Sequence, residues 1–171
     1  MNENMELYYI RQLERVDKWL TFAEAKNAAI IALNAAIVSK ILDIIFSDNM
    51  PIVLITYNIL IYIPIILLLF SLAIALYSFK PNLSKDVSNS NTQNLIFYRS
   101  IALFKSTEEY IKCIDLNYGR KESEANKCVQ DLAEEIIINS RIAVNKYKMF
   151  NIALKLDLWA LLFVLIVVLL A

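Results

Sequence analysis

Three long apolar runs break an otherwise mixed pattern along this chain. Residues 52–79 contain no charged side chain. A helix over that run is about 42 Å long, more than the ~30 Å hydrocarbon core of a bilayer requires. Residues 27–46 form a second run of near-membrane length, and residues 152–171 a third. The largest polar stretch, residues 80–151, lies between the second and third runs. Only that stretch is large enough to sense anything.

The flanking pattern is helical as well. In residues 1–26, Tyr8, Ile10 or Arg11, Leu13, Val16 and Leu20 recur at helical spacing, with Glu6, Glu14, Asp17 and Lys18 elsewhere. Trp19 and Phe22 fall where interfacial anchors belong. No Gly or Pro separates this segment from the first apolar run, so one helix is predicted from about Glu3 to Phe46. After the second run come Pro81 and a Ser/Asn-rich linker over residues 82–94. A short apolar helix is predicted over residues 95–104. A capping box, Ser106 with Glu109, starts the next helix. Gly119 marks a turn. From Glu122 a helical pattern through Val129, Leu132, Ile136, Ala143, Tyr147 and Phe150 runs on without a breaker into the third apolar run.

The predicted fold is therefore an all-α integral membrane protein. Three transmembrane helices occupy residues 27–46, 52–79 and 152–171, with an outer loop at 47–51. The first and third continue into long cytosolic helices, and residues 80–151 add a small helical cytosolic domain. No cleavable signal layout precedes the first run. Four Lys and Arg precede that run, eleven lie in residues 80–150, and none lies in the loop. Positive residues stay inside, which puts the N-terminus and residues 80–151 in the cytoplasm and the C-terminus outside.

Composition narrows the function. The chain has 171 residues, enough for one domain, and is 58% hydrophobic with a mean hydropathy of +0.51. Its net charge is zero, which disfavours wholesale polyanion binding. It has no His, hence no imidazole base, metal ligand or pH switch. Cys113 and Cys128 read as small core thiols. Glu108-Glu109 and Glu134-Glu135 are adjacent pairs that point to different helix faces, so neither is an acid/base dyad. No enzyme activity, metal or cofactor is expected.

Within the membrane runs, the first is rich in Ala at spacings that allow close helix approach in lipid. Asn27 and Asn34, seven residues apart, share its face and are candidate pore-lining groups; an interhelical hydrogen bond is the plainer reading of Asn34. Lys40 fits snorkelling. Pro64 implies a kink in the second run. Among the cytosolic residues, Arg99 follows Phe97-Tyr98, and Arg141 precedes Lys146-Tyr147 on the last helix. Cations beside flat rings suit a nucleotide, charge for phosphate and a face for the base. The same residues equally fit a solvated surface beside anionic lipid.

Four stretches carry a family likeness in order: "FAEAKNAAIIALNAAI", "YSFKPN", "NLIFYRSIALFKSTEEYIKCI" and "DLAEEIIINSRIAVNKYKMFNIAL". Together they resemble the transmembrane effectors of the Pycsar type, found in bacterial nucleotide-signalling antiphage systems. Two positions depart from that pattern. Asn27 stands where the family shows Ala, and Arg99 where it shows a small or polar residue. The resemblance implies an inner-membrane effector held by, or triggered by, a nucleotide second messenger or short oligonucleotide that a partner nucleotidyltransferase or cyclase makes. Activation would permeabilise the membrane and stop growth before phage release. The expected nucleotide-binding set is Arg99, Arg141, Lys146 and Lys26, with Tyr98 or Tyr147 stacking. Membrane lipid is the other partner, and a homotetramer the expected assembly, because three largely apolar helices cannot enclose a polar path alone. The competing reading is a structural or assembly membrane protein with no small ligand.

The orientation is directly testable. A reporter fused after Ala171 should report the outside, and one inserted near Ser90 the cytoplasm. A cytoplasmic C-terminus contradicts three spans.

Overall fold

A computed structural model describes residues 3–46, 58–80, 94–118 and 126–169. Among the described residues, five helices follow in order: α1 (Glu3–Ile45), α2 (Asn58–Tyr77), α3 (Tyr98–Ile101), α4 (Thr107–Asn117) and α5 (Lys127–Leu169). Among the described residues there is no strand. The outer loop, the start of the second apolar run, the Ser/Asn linker and the turn at Gly119 with Arg120-Lys121 lie outside the described residues.

The two long helices match expectation in extent: α1 and α5 each span 43 residues unbroken. Both are long and apolar enough to cross a membrane; α2 has a shorter described apolar stretch, Tyr62–Tyr77. The packing divides the chain into two units. One combines Met1–Ala23 with Pro81–Lys146, the other Glu24–Lys80 with Tyr147–Ala171. Both α1 and α5 contribute to each.

The first unit is built like a soluble helical domain. Its buried side chains include Tyr9, Val16, Ile101, Tyr110, Ile114 and Ile136. The inward stripe of α1 runs through Tyr9, Gln12, Val16 and Ala23; it shares Val16 with the stripe read from the sequence, but Tyr9 and Gln12 take the places expected for Tyr8 and Leu13. The cause is Gln12, a polar residue in the middle of the true stripe. Its Nε2 donates to the Ile96 carbonyl at 2.7 Å, and its Oε1 accepts from Arg15 Nη1 at 3.1 Å. A buried amide so satisfied costs little, yet it hides the apolar period.

Four side-chain hydrogen bonds fix the unit's other segments. Asn126 caps α5 by accepting from Val129 N and donates to Glu6 at 2.7 Å. Asn139 donates to Asp17 at 2.9 Å, and Tyr110 Oη donates to the Leu95 carbonyl at 3.2 Å. Ser106 is the N-cap of α4 as expected, accepting from Glu109 N; Glu109 in turn accepts from Lys105 N rather than from the cap residue. The helix predicted over residues 95–104 shrinks to α3, a single turn. Asn94 causes this by accepting from both Ile96 N and Phe97 N, an Asx turn that competes with helix.

The second unit has the reverse construction. Its interior is rich in small and polar groups: Asn27, Asn34, Ser71, Ala75, Ser78, Ala153, Asp157 and Ala160 are buried, beside the larger Ile30, Ile65 and Leu68. Leu33, Phe70, Leu76, Trp159 and Leu165 face outward. A water-soluble bundle buries its large apolar groups. A bundle in lipid gains nothing by that and instead packs small residues closely. This inversion, with α1 and α5, marks a membrane protein.

The cysteines correct one expectation. Cys128 is exposed and Cys113 only partly buried, so Cys128 is no core thiol. Burial, with Glu109 nearby, pushes the Cys113 thiol above its ordinary value despite Lys112. A raised pKa leaves less thiolate at a given pH, and thiolate is the reactive form. Maleimide at neutral pH should therefore modify Cys128 several-fold faster than Cys113, read by peptide mass analysis. Equal rates, or faster labelling of Cys113, would contradict this packing.

Candidate functional site

In the first unit the candidate residues gather around α3. Trp19 on α1 packs against Phe97, ring centroids 6.1 Å apart and nearly perpendicular, and against Tyr98 at 5.4 Å. Phe97 and Tyr98 are 4.7 Å apart. Tyr98 is buried, whereas Trp19 and Phe97 each remain 37% exposed. Burial raises the Tyr98 phenol above its usual pKa, with Arg99 opposing. The phenol is therefore neutral at physiological pH. Arg99 is exposed on the next position of the same turn. The result is a half-open aromatic face with a free-standing cation beside it.

Arg141 is committed differently. Its Nε donates to the Ala102 carbonyl at 3.3 Å and its Nη2 to the Phe104 carbonyl at 2.6 Å. Those carbonyls close the turn after α3, where a helix end leaves acceptors unpaired. Arg141 thus holds the α3 segment against α5. Lys146 is buried, at 7% exposure.

In the second unit the structure brings Lys26 and Tyr147 together. Lys26 Nζ stands 5.5 Å from the Tyr147 ring centroid and 5.0 Å from that of Phe150, both cation–π contacts. Deeper in the same unit lies a polar relay. Asn34 Nδ2 donates to Ser71 Oγ at 2.9 Å, and Ser71 Oγ donates to the Ala153 carbonyl at 3.1 Å. Asn27 and Asn34 are both fully buried within the unit.

The six expected binding residues therefore fall into separate places. Tyr98, Arg99 and Arg141 surround α3, Lys146 is buried in the same unit, and Lys26 and Tyr147 meet in the other. Sequence reasoning missed three residues. Trp19 reads as a membrane anchor by position, but its ring partners Phe97 and Tyr98, which only the fold supplies. Ser71 is an inconspicuous hydroxyl in an apolar run. Asp157 had a visible signal: a carboxylate inside the third run, flanked by Ala153 and Ala160 at helical spacing.

Comparison with known proteins gives one finding. No curated protein and no solved structure matches the chain. A family model does, that of the Pycsar effector protein domain, over residues 8–171. The match takes in α2 to α5 and all but the first turn of α1, and with them both the α3 aromatic face and the buried polar relay. The chain belongs to the Pycsar effector protein domain family.

Proposed function

We propose that this membrane effector of antiphage defence is a nucleotide-gated, oligomeric channel. A cyclic nucleotide made by a partner cyclase binds the cytosolic residues 80–151 together with the start of α1. Binding opens a path across the inner membrane and ends the infected cell's growth. The family supports the effector role and the cyclic nucleotide as its signal.

The observation that carries the gating reading is the α3 face. An exposed guanidinium, Arg99, follows a Trp19–Phe97–Tyr98 cluster whose outer two rings are half-open. That combination offers an aromatic surface for a base and a charge for a single phosphate. Arg99 departs from the family pattern, so it is the residue through which this chain tunes its ligand. Arg141 supports the same turn from behind. Lys146, Lys26 and Tyr147 are second contributors, reached as the helices rearrange. α1 and α5 carry the signal, because each is one unbroken helix shared between both units. A shift at α3 biases how those helices pack, and packed helices switch between discrete arrangements. In the conducting state Asn27 and Asn34 line the path, in a homotetramer with three spans per chain.

The test is titration of cyclic mononucleotides, cyclic oligonucleotides and short linear oligonucleotides against the purified chain in nanodiscs. One cyclic nucleotide should bind, and Arg99→Ala should weaken it by roughly ten- to a hundredfold, the loss of one charge-assisted contact of about 1.5–3 kcal/mol. Trp19→Ala should weaken it as well. Arg141→Ala should also lower thermal stability, since its carbonyl contacts go. No binding by any nucleotide, or equal binding by the Arg99 variant, would return these residues to an ordinary charged surface.

A further inference from the structure

Asp157 is a buried carboxylate in the apolar run of α5, at 4% exposure. Neither carboxylate oxygen has a hydrogen-bond partner. An isolated buried carboxylate is expensive anywhere and most of all at membrane depth. Its surroundings are acceptors too. Asn34 Oδ1 is fully buried and also has no partner. Asn34 Nδ2 is spent on Ser71 Oγ, and the Ser71 proton on the Ala153 carbonyl.

Helix geometry brings these groups to one level of the unit. Ala153 is one turn before Asp157 on the same face of α5, and helical side chains lean toward the N-terminal turn. Asp157 therefore leans toward the level at which Ser71 meets Ala153. The charged groups of the unit do not answer it. On α1 these are Glu24, Lys26, Lys40 and Asp43; Lys80 follows α2; Lys148 and Lys155 lie on α5. Lys26 sits over Tyr147 and Phe150, Lys80 over Tyr77, and Lys40, Lys148 and Lys155 are exposed. Among the described residues, none pairs with Asp157.

We propose that Asp157, Asn34 and Ser71 form a site for one monovalent alkali cation inside the membrane unit. Three oxygens lack a donor: both of Asp157 and Oδ1 of Asn34. Ser71 Oγ, which accepts one bond and donates one, adds a further lone pair. A set made only of oxygens suits a hard cation. A single proton would serve two of the three orphan oxygens at most. One carboxylate balances one positive charge, which favours a monovalent over a divalent ion. A second copy of the chain cannot supply the missing donor, because at 4% exposure the carboxylate is closed to it.

The inference is independent of the nucleotide reading, and its test contains no nucleotide. Purified chain in neutral-lipid nanodiscs is unfolded thermally in NaCl, KCl and choline chloride at one ionic strength and pH. A ligand held only by the folded state stabilises it, by about a hundredfold in the unfolding equilibrium at a hundred times its Kd. The midpoint should rise saturably with Na⁺ or K⁺ and not with choline. Asp157→Asn should fold with the same helical signal and lose that rise, while Lys40→Ala keeps it. Equilibrium dialysis with radioactive Na⁺ or Rb⁺ should find one ion bound per wild-type chain and none per Asp157→Asn chain, which decides the matter even if the variant folds poorly. Stability that follows pH alone, an alkali-ion effect that survives in Asp157→Asn, or no ion retained by the wild type would each overturn the site.

Discussion

Interhelical hydrogen bonds set among closely packed residues tie the membrane unit together. Lipid offers no hydrophobic reward for bringing helices together, so association rests on close packing and interhelical hydrogen bonds. Asn34, Ser71 and the Ala153 carbonyl connect α1, α2 and α5 in one chain of two bonds. Ile30, Ala75 and Ala153 pack beside it, with Phe150 at the edge. Interhelical hydrogen bonds in bilayers average only about 0.6 kcal/mol each. Such a seam is strong enough to define a resting arrangement and weak enough to be exchanged for another. That balance is what a switchable membrane element needs.

The first unit works by the opposite rule. There large side chains such as Tyr9, Tyr110 and Ile136 are buried, and the buried Gln12 and the half-buried Arg141 donate to backbone carbonyls. Tyr110 is sealed so well that burial, aided by Tyr8, Tyr9 and Tyr118, drives its phenol far above the usual pKa despite Arg15. One sequence thus carries two solvents' worth of packing logic along single helices. In α5, Val129, Ala133, Ile136, Ser140 and Ala143 face inward in the first unit, and Ala153, Asp157 and Ala160 in the second. The period stays near 3.5 throughout, while the chemistry of the inward face inverts.

That inversion explains what could be read in advance. The long helices α1 and α5, the Ser106 cap and the membrane character were legible because length, capping residues and uncharged runs do not depend on partners. The family was legible from the order of four short stretches. The inward face of α1 was not, because Gln12, Asn27 and Asn34 occupy it and a search for apolar stripes passes over them. Trp19 was assigned to the membrane surface because its ring partners lie some eighty positions away. Asp157 went unused for the same reason as Ser71: within an apolar run, a polar residue draws attention only once its neighbours are known. Arg141 looked like a phosphate ligand by charge and spacing, whereas its donors are directed at the turn after α3.

The central claim is that a ligand at α3 controls a path through the membrane. Ion flux from proteoliposomes containing the full chain tests it most directly. Vesicles loaded with a self-quenching dye and a potassium gradient should stay tight until the binding nucleotide is added outside. Those whose copies carry residues 80–151 on the outer face of the vesicle should then leak, with the dose response shifted by Arg99→Ala in step with its loss of affinity. Leakage that ignores the nucleotide, or tight vesicles at saturating nucleotide with binding confirmed, would contradict the account.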